Sequence, residues 1–129
     1  MLIDPQARYL KTHEWAKKQT GTIFTAGLTA YAVEQLGDIV YMELPEVGKE
    51  LTAGQPFGIV ESVKSASDMY APLTGRVVAA NTEIPDNPDT LKQDAYDKGW
   101  LIKIEAAKPA EFDELMDADA YRRFLETEA

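Results

Sequence analysis

Cysteine is missing from the 129 residues, and histidine occurs once, as His13. Without cysteine there is no disulfide framework, no thiolate metal site and no cysteine nucleophile, so redox chemistry has to arrive with a cofactor. His13 could be paired on paper with Ser62 or Ser65, but neither serine has the strand-to-helix context of a nucleophile. His13 is therefore expected to be a hydrogen-bonded structural or surface histidine. The eight glycines are scattered at turns and form no phosphate loop. The acidic string Asp86-Asn87-Pro88-Asp89, with Asp94 and Asp97 beyond it, lacks the turn glycine and closing glutamate of a calcium loop. No metal is expected. Positive charge is also scarce, with 13 basic against 22 acidic residues and a net charge of −9. That balance repels phosphate backbones and anionic lipid, so neither nucleic acid nor a membrane is expected as a partner. No apolar run has the length of a membrane span, and the start, Met1-Leu2-Ile3-Asp4-Pro5, is neither a secretory signal nor a transit segment. A cytoplasmic protein of bacterial type is expected, or a mitochondrial one if a transit peptide was removed.

What is present suits a small globular protein: 45% apolar and 27% charged residues. One domain over residues 1–129 is the expectation. Short β-patterned runs separated by turn signals cover 7–10, 14–18, 22–28, 38–44, 57–62, 65–70, 75–80 and 101–105. A helix over 30–36 interrupts them, with Thr29 as N-cap and Gly37 closing it in a left-handed conformation. Residues 81–98 read as an irregular excursion with a helical turn near 90–95. Beyond Pro109 the apolar residues follow helical period, with Asp117 suited to cap a second helix. The resulting architecture is mainly β, with a helical C-terminal appendix at 109–129 packed on the β-body. Trp15 and Trp100, set among strand-like residues, are expected to be buried.

The run Val60-Glu61-Ser62-Val63-Lys64-Ser65-Ala66-Ser67-Asp68-Met69-Tyr70 places one lysine between two alternating segments, and Ala71-Pro72-Leu73-Thr74-Gly75 ends the second. A tight hairpin with Lys64 near its tip follows. There an amine on a flexible stem is open to a modifying enzyme.

Several pieces carry a resemblance. Thr12-His13-Glu14-Trp15, Gln35-Leu36-Gly37-Asp38-Ile39-Val40, Glu43-Leu44-Pro45-Glu46-Val47-Gly48, the Lys64 segment, Ala71 to Gly75, Gly99-Trp100 and Leu115-Met116…Tyr121 resemble, in order and over nearly the whole chain, the glycine cleavage system H proteins, a family of lipoyl carriers. The resemblance implies a barrel-sandwich hybrid of two small antiparallel sheets, of the lipoyl and biotinyl carrier kind, with lipoate in amide linkage to Lys64. It implies a non-catalytic component of a multienzyme system. Its arm carries the aminomethyl intermediate between glycine decarboxylase (P protein), the tetrahydrofolate-dependent aminomethyltransferase (T protein) and dihydrolipoyl dehydrogenase (L protein). A lipoate-attaching enzyme is the further partner. A cationic, water-labile cargo would gain from a carboxylate-bearing pocket, for which Glu14, Thr12 and Asp68 are the candidates; the plainer reading of both acids is solvent exposure.

The chain departs from the family pattern at 91–98, where an asparagine and a proline are usual, and at Ala30, where an aspartate is common. An H-like paralogue acting in lipoate relay, or a lipoyl domain of a 2-oxoacid dehydrogenase complex, are the alternatives. The latter kind usually places Asp before its lysine, where this chain has Val63; a biotin carrier would flank it with methionines.

Overall fold

Alternation decides the β-body. Along the strand Ile23–Leu28, Phe24, Ala26 and Leu28 point inward and are buried, and along Ile102–Ala106 the inward positions are Ile102, Ile104 and Ala106. The computed structural model describes residues 2–127. In chain order the elements are β1 (Arg8–Tyr9), β2 (Glu14–Thr20), β3 (Ile23–Leu28), α1 (Ala30–Leu36), β4 (Ile39–Glu43), β5 (Glu50–Leu51), β6 (Pro56–Ser62), β7 (Ala66–Tyr70) and β8 (Gly75–Ala80). Then come α2 (Glu83–Asp86), α3 (Thr90–Gln93), β9 (Ile102–Ala106), a 3-10 turn (Pro109–Glu114) and α4 (Ala118–Thr127). A six-stranded sheet runs β1-β2-β3-β9-β8-β5 and a three-stranded one β4-β6-β7, with antiparallel pairing throughout. Neither sheet closes on itself. Their inward residues share one core, in which Trp15, Met69, Leu73, Val77, Ile102 and Ile104 are all at 0% exposure.

The expected strands are all present, 75–80 with the ends expected and the others with shifted ends, and two elements were not expected. β5 is only two residues, recruited by pairing Glu50 with Arg76 and Leu51 with Gly75, and α2 fills part of the excursion that read as irregular. Segment 109–114 is a 3-10 turn and not an α-helix. There Glu111 turns back to accept from the Thr74 N–H at 2.8 Å and the Thr74 hydroxyl at 3.0 Å. α4 follows with Asp117 as its cap, its carboxylate accepting from Ala120 N–H at 2.9 Å. Of the appendix expected at 109–129, the last two positions lie outside the described residues. Its inner face is tied down: Tyr9 and Met116 exchange backbone hydrogen bonds of 2.8 and 3.1 Å, and the Tyr121 ring stacks on Tyr9 at 4.3 Å. Trp15 is fully buried, its indole N–H donating to Leu28 O at 3.0 Å, whereas Trp100 is only half-buried and carries Lys103 over its ring at 5.0 Å.

Gly75 leaves no room for a side chain between β8 and β9. A Cβ there would lie 2.2 Å from the Glu105 carbonyl oxygen and 2.9 Å from Ile104 Cγ2, neither of which can swing away. Gly75→Ala is expected to cost about 1–3 kcal/mol, the usual range for overpacking a tight interior. It would be read as a lower urea midpoint at unchanged slope; an unchanged midpoint would show that the strands separate freely.

Candidate functional site

The β6–β7 hairpin turns through Ser62-Val63-Lys64-Ser65, and pairs of residues behind it are held in register from Glu61 opposite Ala66 to Ile59 opposite Asp68. Two-residue hairpin turns favour positive φ, which is why Asn-Gly is common in them. Val63 and Lys64 have none, since His13 is the only non-glycine residue with positive φ among those described. The side chain of Ser62 compensates. Its Oγ accepts from the N–H groups of Lys64 and Ser65, each at 3.2 Å, while Ser62 N–H donates to Ser65 O at 2.8 Å and Val63 N–H to Asp38 O at 3.0 Å. The tip backbone is fixed and the lysine side chain is exposed. Ser62→Ala should speed amide exchange at positions 64 and 65 by about five- to tenfold, the value of one hydrogen bond of ~1 kcal/mol; equal exchange in both proteins would remove Ser62 from this role.

The Lys64 stem passes over Gly37, the residue that ends α1. Gly37 has φ 76° and ψ −130°, which is glycine-only space and not the left-handed helical well expected from the sequence. A Cβ there would sit 3.5 Å from Lys64 Cε. None of the ion pairs among the described residues uses Lys64.

Beside the hairpin lies a cleft of about 300 Å³. One wall is the start of β2, with Thr12, His13 and Glu14; another is α1, with Tyr31; the third is the hairpin itself, with Val60 and Asp68. Glu14 is buried at 2% exposure. One of its carboxylate oxygens accepts from the Thr12 hydroxyl and the other from the Tyr70 N–H at 3.0 Å, which links β2 of one sheet to β7 of the other. Burial dominates its ionisation: loss of water pushes the carboxyl up to about 7 from 4.5, against the opposing pull of those hydrogen bonds. Asp68 and Thr12 are exposed at the mouth.

The structure therefore brings Thr12, Glu14 and Asp68 to one cleft next to Lys64. Glu14 is not the exposed acid of the plainer reading; Asp68 is exposed but lines the cleft. His13 and Tyr31 were not singled out as cleft residues. His13 is half-buried, its Nδ1 lies 2.8 Å from the Tyr121 hydroxyl and its ring 4.7 Å from that of Tyr31. Desolvation lowers its basicity. The sequence signal for it is its place between Thr12 and Glu14; it sits in the turn before β2, with a positive φ of 77°.

An antiparallel two-sheet body that presents a lysine on a hairpin tip, beside a cleft floored by a buried carboxylate, is the barrel-sandwich hybrid of prosthetic-group carriers. Comparison with known proteins narrows the class. The family described as Glycine cleavage H-protein matches residues 7–128. The glycine cleavage system H protein of Symbiobacterium thermophilum is 49% identical over 122 residues, 95% of this chain and 94% of that one. That of Myxococcus xanthus is 48% identical over 124 residues, 96% of this chain and 95% of that one. The crystal structure of a glycine cleavage system H protein from Mycobacterium marinum superposes with a TM-score of 0.86 at 36% identity, covering 96% of this chain and 99% of that one. The chain belongs to the glycine cleavage H-protein family.

Proposed function

We propose that the chain is the lipoate carrier of a glycine cleavage system, with lipoate in amide linkage to Lys64. The carrying observation is the position of Lys64, exposed on a backbone-locked tip whose neighbouring cleft holds the buried Glu14. The residues fit the group. Amide formation removes the lysine charge, and no ion pair among the described residues is lost by it. When bound, lipoate supplies a dithiolane that accepts a one-carbon amine on sulfur and is reoxidised afterwards. The absence of cysteine leaves no thiol in the chain to trap that sulfur in a mixed disulfide.

The protein's own part is storage. Glu14 accepts a hydrogen bond from a cationic amine, Thr12 orients the carboxylate, and Asp68 adds negative charge at the mouth. Val60, Leu28 and Leu36 keep the walls apolar, which excludes the water that would release the cargo. Glycine decarboxylase, the aminomethyltransferase, dihydrolipoyl dehydrogenase and a lipoate-attaching enzyme are the partners of this reading, and the protein itself catalyses none of the steps. The bacterial relatives support a cytoplasmic setting.

Exchange of the glycine carboxyl group with bicarbonate, catalysed by a pyridoxal-phosphate glycine decarboxylase, tests the role. Lipoylated protein should support exchange in proportion to its concentration, and the unlipoylated form should not. Fully lipoylated protein that supports none would overturn the assignment in favour of lipoate relay or another complex.

A further inference from the structure

The cleft is braced from behind by the C-terminal helix. Tyr121 of α4 is at 0% exposure, and its hydroxyl lies 2.8 Å from His13 Nδ1 on the β2 wall and 2.9 Å from Thr29 Oγ1 at the start of the α1 wall. The two walls also meet directly through Thr29 N–H donating to His13 O at 3.0 Å.

The direction of this chain of hydrogen bonds follows from counting protons. Thr29 Oγ1 caps α1 by accepting from Ala32 N–H at 3.1 Å, and Thr29 is at 0% exposure. If His13 donated from Nδ1 to Tyr121 and Tyr121 to Thr29, the Thr29 hydroxyl would accept twice and its own proton would be buried without an acceptor. If Thr29 donates to Tyr121 and Tyr121 to His13 Nδ1, both buried hydroxyl protons have an acceptor. The second arrangement leaves His13 neutral with its proton on Nε2, and that nitrogen has no protein partner among the described residues.

We propose that Tyr121 is a positioning residue of the cargo cleft, holding its two walls together and fixing His13 as the Nε2–H tautomer. The cleft then keeps Glu14 as its buried acceptor beside a neutral His13, and no second positive charge opposes a cationic cargo. The rings packed on His13, Tyr31 from α1 with Tyr121 and Phe124 from α4, favour a neutral imidazole, and the acids Glu14 beside it and Asp68 across the cleft on β7 oppose it, so the hydrogen bond from Tyr121 to Nδ1 decides the state. Desolvation disfavours the imidazolium in the same sense. This inference rests on the reading of the cleft as the cargo's resting place.

Because the chain has one histidine, ¹⁵N-histidine labelling gives an unambiguous long-range ¹⁵N–¹H spectrum of the unmodified full-length protein. At pH 7 the wild type should show a single tautomer, protonated on Nε2 with Nδ1 as acceptor. In Tyr121→Phe the two nitrogens should move towards a mixture of tautomers while the far-ultraviolet circular dichroism stays unchanged. Thr29→Val, which keeps the shape and removes the hydroxyl, reads the same effect should Tyr121→Phe fail to fold. A wild-type proton on Nδ1, or a spectrum indifferent to both substitutions, overturns the proposal.

With the arm loaded, Tyr121→Phe should shorten the cargo's lifetime about fivefold, the value of one neutral hydrogen bond. If Glu14→Gln shortens that lifetime and Tyr121→Phe does not, the positioning role fails and the cleft reading stands. Unchanged lifetimes in both variants remove the cleft reading itself.

Discussion

Lys64→Arg is expected to abolish lipoylation and to reduce glycine–bicarbonate exchange to the level measured without any carrier. Arginine keeps the length and the charge of the side chain, so the test isolates the amine: a guanidinium does not deprotonate near neutral pH and does not form the amide. Stability should barely move, within about 0.5 kcal/mol, because the position is exposed and the tip is held by backbone and Ser62 contacts. Exchange retained by a folded, adduct-free variant would mean that the group transfer does not pass through this residue.

Glu14→Gln should have the second largest effect, and its sign depends on pH. The native carboxyl holds its proton up to about 7, whereas the unfolded one releases it near 4.5. Its contribution to stability is complete below the lower value and is lost as pH rises through the upper one, a difference of about 3 kcal/mol on the scale of 1.36 kcal/mol per pH unit. Glutamine has no such titration and can still accept from Tyr70 N–H, so the variant should lack the decline between pH 4.5 and 7 that is expected in denaturation of the wild type. A cationic cargo reverses the preference, since it stabilises the ionised carboxylate and drives proton release on docking. Loss of that charge-assisted contact, worth about 1.5–3 kcal/mol, should shorten the cargo's lifetime roughly 10- to 150-fold. Parallel pH profiles of stability in the two proteins would contradict the buried state of Glu14.

The hairpin was legible because its information is local: alternation from Val60 to Tyr70 fixes which residues face the core, and a turn is the only way to connect the two runs. The same holds for α1, where Thr29 caps and Gly37 closes within one short segment. Glu14 could be nominated from its neighbours, but its burial depends on β7 supplying the Tyr70 N–H from 56 positions away. β5 has no pattern of its own, being two residues aligned by β8. Tyr121 shows the limit most clearly. Helical period assigns its ring to packing, which is correct, but its hydroxyl meets His13 at a separation of 108 residues and Thr29 at 92, and no local signal encodes those contacts.

Intact mass with peptide mapping of the protein isolated from its own host tests the central claim most directly. The account expects one lipoyl adduct, on the peptide that contains Lys64 and on no other lysine; a biotinyl adduct, a lipoyl group elsewhere, or consistently unmodified protein from actively growing cells would contradict it.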